Sequence, residues 1–326
     1  MEDFGVEFPT YSFGLGDYTP SYYDYIQSYE CTGFGLNLIN STDIKIHNHL
    51  NSFLSRIILL VIQPLVAVLG ALGNLIFIFS VWKLPSTRNS INLILLNLSF
   101  ADLLYLLVGT AEKFVKAIKS PVREDSLIFG QIFQCFIILP FLNAVSFASL
   151  LLVSLVSVER YVAVCKPIQH LKITSRRRTS AYIIFIWVCC FSLAICLLPS
   201  SMNFVTFCIK WPDIPTYTHF PIKVGYCQAR SDLWASARES TRTFPYFFAL
   251  LLNVVCTAKI VFRLYKRRDF PSSLGGMQNN HTVTRHKNSA NAATKMLLIN
   301  GIAYFLLATP FHVVNIIQFM ELVFPT

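Results

Sequence analysis

The sequence predicts an all-α protein, a polytopic bundle of membrane-spanning helices, and three observations predict it. Only 13% of the 326 residues are charged while 54% are hydrophobic, against about 25% charged in ordinary soluble domains. The apolar residues gather into six long runs, and the basic residues fall between the runs, mostly on one side of the predicted bundle. About 20 mostly apolar helical residues cross the roughly 30 Å hydrocarbon layer. None of the runs alternates apolar and polar residues as the strands of a membrane β-barrel do. The lipid bilayer is therefore the first partner. The net charge of +10 calls for no nucleic acid, because the positive residues flank apolar spans and form no single basic face.

Residues 1–56 come first, as an acidic, tyrosine-rich tail containing Asp17, Tyr18, Tyr22, Tyr23, Asp24, Tyr25, Tyr29 and Glu30. With few aliphatic side chains it cannot offset its ordering entropy, which predicts disorder. Two roles fit it: attraction of a basic peptide, aided by tyrosine sulfation, or plain solubilisation. The tail holds no apolar core behind a basic start, so the first span is expected to act as its own insertion signal. Asn40-Ser41-Thr42 is a glycosylation sequon. His47 and His49 lack a Cys or carboxylate at metal-ligand spacing and read as solvated.

Helices follow over residues 57–82, 91–111, 128–163, 177–199, 241–266 and 292–320, and residues 321–326 begin an outer loop. The segments after spans 1, 3 and 5 carry sixteen basic residues against two acidic ones, and the other side carries eleven against fourteen. Basic loops stay cytoplasmic, so the N-terminus is expected outside. Asn280-His281-Thr282 then lies inside and is expected unmodified. The stretch from Arg267 to Asn291, with Pro271, Gly275 and Gly276 among polar residues, reads as a flexible loop.

Cys31, Cys135, Cys208 and Cys227 fall on the outer side, where disulfides persist, and four cysteines allow three pairings. Cys165, Cys189, Cys190, Cys196 and Cys256 read as small packing residues. From Cys135 to Arg160 a helix rises about 37 Å, which places Cys135 at the outer rim of span 3 and Glu159-Arg160-Tyr161 at its inner end. A disulfide from Cys135 to Cys208 or Cys227 would staple the loop after span 4 over the bundle mouth.

Polar groups at membrane depth are costly and mark functional sites. Asp102 in span 2, Asn74 in span 1 and Ser149 in span 3 lie at similar depth. They fit either a hydrated cluster holding a cation such as Na+ or a hydrogen-bonded structural knot.

These residues carry a resemblance. The chain is similar, over nearly its whole length, to rhodopsin-like (class A) G-protein-coupled receptors. The shared features are Gly73-Asn74, Leu98-Ser99-Phe100-Ala101-Asp102, Cys135, Glu159-Arg160-Tyr161 followed by Val162-Ala163-Val164-Cys165-Lys166-Pro167, Trp187, and Pro310-Phe311-His312. The sixth span and the cysteine-bearing outer loop resemble the galanin, kisspeptin, thyrotropin-releasing-hormone and neuromedin branches. The resemblance implies a multi-pass receptor of the plasma membrane, with no catalytic constellation and no cofactor beyond a partial sodium site at Asp102, Ser149 and Asn74. It implies an extracellular peptide ligand, a heterotrimeric G protein meeting Glu159, Arg160 and Tyr161, arrestin as a further partner, and a Cys135–Cys227 disulfide. Cys208 then pairs with Cys31 or stays free. Because Leu142 stands where amine receptors carry an aspartate, an amine ligand is not expected. The implied ligand-binding set is Glu112, Lys116, Leu142, Ser146, Phe311, His312, Asn315 and Gln318, and Glu112→Gln is expected to weaken a basic ligand.

The sequence departs from the family at Ala308, where an aromatic toggle is usual. Ala249 stands at the helix 5 proline position, with Pro245 one turn earlier. Thr257 replaces a tyrosine near the inner end of span 5, and Leu127 replaces an outer-loop tryptophan. No seventh span follows Glu321-Leu322-Val323-Phe324-Pro325-Thr326, so the expected fold is the receptor fold truncated after helix 6. A non-signalling form that acts on a full-length partner is an alternative function. A six-span transporter or channel would call for internal repeats or further buried charges, which the sequence does not show.

Overall fold

A computed structural model describes residues 34–38, 46, 49–84, 89–173, 175–268, 299, 301–317 and 319–320. Five helices among them are long and apolar enough to cross a membrane: α1 (Phe53–Lys83), α2 (Ser90–Lys119), α3 (Ile132–Cys165), α4 (Arg176–Cys196) and α5 (Asp232–Arg268). A shorter apolar helix, α6, covers Gly301–Ile317.

Local chemistry sets the helix ends. Ser52 caps α1 by accepting from the Ser55 amide at 3.2 Å, and Asn89 Oδ1 caps α2 by accepting from the Asn92 amide at 2.8 Å. In α1 and α3 a π-helical stretch, Ile58–Ile62 and Ile132–Ile138, ends two residues before a proline, Pro64 and Pro140. Proline has no amide proton and its ring crowds the preceding turn, so the helix widens there and continues without breaking.

Two helices exceed their sequence-based limits. α2 runs two turns past Ala111, to Lys119, because Glu112 and Lys116 neutralise each other one turn apart. α5 starts at Asp232 rather than 241, its polar first turns held by the Arg238–Glu239 pair at 2.9 Å. In both places charge marked the edge of hydropathy without marking the edge of helix.

α3 is the axis of the bundle. Half of its most apolar window is buried, against 6% for α1. Ile94 and Ala101 of α2, Val145 and Leu152 of α3 and Ile183 of α4 form one core, and Leu150 and Val153 of α3, Tyr246 and Ala249 of α5 and Phe305 of α6 form another. The outward faces carry large apolar side chains such as Leu69, Phe248 and Leu307. Such a girdle suits hydrocarbon surroundings and would be an aggregation liability in water.

One end of the bundle carries a three-stranded sheet. Strands β2 (Asn203–Lys210) and β3 (Lys223–Gln228) form an antiparallel hairpin. Strand β1 (Phe34–Asn37) adds in parallel to β2, with Gly35 opposite Cys208. This corrects the expectation of a wholly disordered tail over residues 1–56. The short strand offsets its ordering cost by pairing its backbone with β2 and by setting Leu38 among Phe207, Ile209 and Val224. Asp125, between α2 and α3, ties the sheet down by accepting from the Gly225 amide at 3.1 Å.

At Gly225 an added Cβ would collide with the edge of the Phe204 ring. Gly225→Ala is therefore expected to cost about 1–3 kcal/mol through overpacking, read as a lower melting temperature of detergent-purified protein. Adding Phe204→Leu should recover most of the loss, and an unaltered melting point in Gly225→Ala would contradict this close packing of β3 on β2.

Candidate functional site

At the sheet end, α2 and the start of α3 hold a network of charges. Lys116 Nζ lies 2.5 Å from Glu112 Oε1, with both side chains buried. Gln134 Nε2 donates to the same carboxylate oxygen at 2.8 Å, and Lys116 donates to Ser126 Oγ at 3.2 Å. Outside this pair, Glu124 meets Lys113 at 2.5 Å and Lys116 at 3.7 Å. Desolvation works against the Glu124 charge, but the two lysines outweigh it and hold its carboxyl below the usual range. Burial likewise holds half-buried His49 below the usual histidine range, and its carbonyl accepts from the Arg123 amide. Cys135 and Cys227 form a disulfide that joins the start of α3 to β3. Cys208 is disulfide-bonded as well, while Cys165, Cys189, Cys190, Cys196 and Cys256 are free.

The facing wall comes from α3, α5 and α6. Arg242 Nη2 donates to Asn143 Oδ1 at 3.1 Å, and its other terminal nitrogen lies 3.9 Å from Glu239. The His312 ring stacks on Tyr246 with centroids 3.7 Å apart. The Tyr246 hydroxyl donates to the Phe305 carbonyl at 2.7 Å and shares a hydrogen bond with Thr309.

The expected ligand-binding residues thus divide. Glu112 and Lys116 are each other's counter-ion. Leu142 packs toward Gly109 of α2, and Ser146 is exposed in the middle of α3 although its neighbours Val145 and Phe147 are buried. His312 and Asn315 face α5 or are buried, whereas Phe311 is mostly exposed on the outside of α6. Gln318 and Asn40 lie outside the described residues. Arg242, Glu239 and Tyr246 were missed. Arg242 falls at the second position of the span expected over 241–266, and a charged residue entering a span is itself a signal.

Deeper in the bundle Ser149 Oγ donates to Asp102 Oδ1 at 2.7 Å. Asn74, expected beside them, donates instead to the Gly70 carbonyl of its own helix at 2.9 Å. Among the described residues no group of three or more His, Cys, Asp and Glu side chains is arranged to hold a metal ion. A sodium ion held by Asp102 and Ser149 would draw its remaining oxygens from elsewhere.

At the far end, Glu159 Oε1 meets His170 Nε2 at 3.3 Å, on the short helix Pro167–Ile173. Among the described residues the buried Arg160 Nε has no hydrogen-bond partner. The Tyr161 ring lies 6.0 Å from Lys166 Nζ and 5.6 Å from Lys259 Nζ. Tyr161 lines a cleft with Cys165, Ala258, Lys259, Phe262 and Arg263. Ser157 donates to Asn253 Oδ1, which joins α3 to α5 above this cleft.

Apolar spans around a central α3, with a buried polar wall at one end and a cleft lined by Lys259 and Arg263 at the other, define a helical membrane protein. The sequence model described as 7 transmembrane receptor (rhodopsin family) matches residues 73–323, and the chain belongs to that family. Neuromedin-U receptor 2 of Mus musculus is 27% identical over 253 residues, which cover 78% of this chain and 60% of the relative. Galanin receptor type 1 of Mus musculus is 27% identical over 267 residues, covering 79% and 67%. The QRFP-like peptide receptor of Branchiostoma floridae is 20% identical over 268 residues, covering 81% and 65%. The chain spans about three fifths of the length of the neuromedin-U receptors it matches. Membership makes it a receptor-family protein and not an enzyme.

Proposed function

We propose that this chain forms most of a receptor for an extracellular peptide. The ligand binds at the sheet end, and a heterotrimeric G protein is recruited at Arg160. The carrying observation is the joint match to the rhodopsin family and to receptors whose names specify peptides. The polar wall of Arg242, His312 and Asn315 supports it, as does a site with no carboxylate at Leu142. The basic loops favour a cytoplasmic Arg160 end, with the tail and Asn40 outside the cell and arrestin as a second inner partner. Binding would work by population shift, because a ligand that prefers one arrangement of α5 and α6 stabilises it by its differential affinity. Asp102 with Ser149 is the proposed sodium position.

The test is a peptide library applied to cells expressing the receptor, read by calcium and cyclic-nucleotide signals. A peptide response is expected, and Arg160→Ala should remove the signal while keeping peptide binding. Response to a lipid or an amine alone would overturn the ligand class. Glycosidase-sensitive migration that disappears in Asn40→Gln would place the tail outside.

A further inference from the structure

Among the described residues six buried polar side-chain atoms lack a hydrogen-bond partner, and three of them, Thr243 Oγ1, His312 Nδ1 and Asn315 Nδ2, belong to the α5–α6 wall. Thr243 is 2% exposed and Asn315 5%, so leaving their donors unpaired is costly. Their levels agree. His312 stacks on Tyr246, and Asn315 lies three residues from His312 toward the sheet end of α6, as Thr243 and Arg242 lie three and four residues from Tyr246 toward the sheet end of α5. Arg242 is near enough for its charge to act on the His312 ring. Exposed Ser146, one turn from Asn143, marks open space beside this wall.

The charge count around that space is lopsided. On the α2 side Lys113 and Lys116 are matched by Glu112 and Glu124. On the α5 side Arg238 and Arg242 share Glu239, which sits 2.9 Å from Arg238 and 3.9 Å from Arg242. Arg242 is thus a part-buried guanidinium with a neutral amide as its close partner and a distant, shared counter-charge.

We propose that Arg242, with the Asn315 amide and the Thr243 hydroxyl as further donors, forms a subsite for a carboxylate of the ligand, either an acidic side chain or a free C-terminus. This rests on the peptide-receptor reading, and it reverses the charge expected from Glu112, whose carboxylate is already matched. A guanidinium takes a carboxylate through two parallel hydrogen bonds, and such a group would fill the orphaned donors that a cationic ligand would leave unpaired.

The test has two arms. Purified protein is melted with millimolar N-acetylphenylalanine or with its carboxamide. The acid should raise the melting temperature by about 2 °C or more, the amide should not, and Arg242→Gln should abolish the difference while Arg242→Lys keeps part of it. Equal effects of acid and amide, or a full acid effect in Arg242→Gln, would overturn the subsite. In the second arm, peptides active in cells are compared with analogues whose carboxylates are amidated one at a time. One amidation should lower potency at least about 30-fold in wild type and have no effect in Arg242→Gln. Potency indifferent to every amidation would also overturn the subsite. Stabilisation by the acid with no response to any peptide would support the subsite and count only against the peptide reading.

Discussion

Glu112→Gln is expected to lower fold stability by about 3–4 kcal/mol, an effect larger than any on ligand potency. The carboxylate is 4% exposed and Lys116 is 6% exposed, with 2.5 Å between the charged atoms. Removing one partner of a buried pair leaves the other charged and desolvated, which costs about 3–5 kcal/mol. Here Lys116 keeps Ser126 at 3.2 Å and Glu124 at 3.7 Å, so the lower part of that range applies. Glu112→Gln should melt earlier and reach the surface in smaller amounts, while the molecules that do reach it respond at nearly wild-type potency. The double variant Glu112→Gln with Lys116→Met removes both charges and should recover much of the loss. A Glu112→Gln protein of normal melting temperature and greatly reduced potency would instead return Glu112 to the ligand.

The same pair shows where sequence reading reaches its limit. The spans were legible because burial in hydrocarbon requires long apolar runs whatever the tertiary contacts. Ser149 with Asp102 was legible because depth along a helix follows from residue count. The fate of a charge was not legible, since it depends on what stands one turn away or on the facing helix. Glu112 and Lys116 looked like ligand contacts and are mutual partners, while Arg242, at the edge of the expected span, lies ten residues inside its helix and meets Asn143. Asn74 shares the depth of Asp102, yet its amide is taken by Gly70 of its own helix, a competition that residue counting cannot weigh. The sheet was hidden for a related reason. Phe34-Gly35-Leu36-Asn37 has little strand character alone and becomes a strand because β2, far along the chain, offers a free edge. The Cys135–Cys227 bond came from family resemblance, since spacing alone left Cys208 open.

That disulfide carries the second large effect. Cys227→Ser is expected to destabilise the protein by about 2–4 kcal/mol and to remove most ligand response. The bond closes a separation of 92 residues, for which loop-closure entropy alone is about 4–5 kcal/mol. Membrane insertion already confines α3 and α4 in the unfolded chain, so less than the full value is at stake. The functional loss follows from what the bond holds. Cys135 is fully buried next to Gln134, whose amide donates to Glu112, and Cys227 sits on β3 opposite Phe204. Release lets the hairpin lift from α3 and frees the helix start that keeps the Glu112–Lys116 pair dry, so the charge network and the sheet loosen together. Cys135→Ser, Cys227→Ser and the double variant should therefore lose the same amount, because each removes one bond and nothing else in common. Melting temperatures of the three variants check this. Losses that add in the double variant would mean that the two sulfurs act separately, and a Cys227→Ser receptor with wild-type response would mean that the sheet is not needed to hold the site.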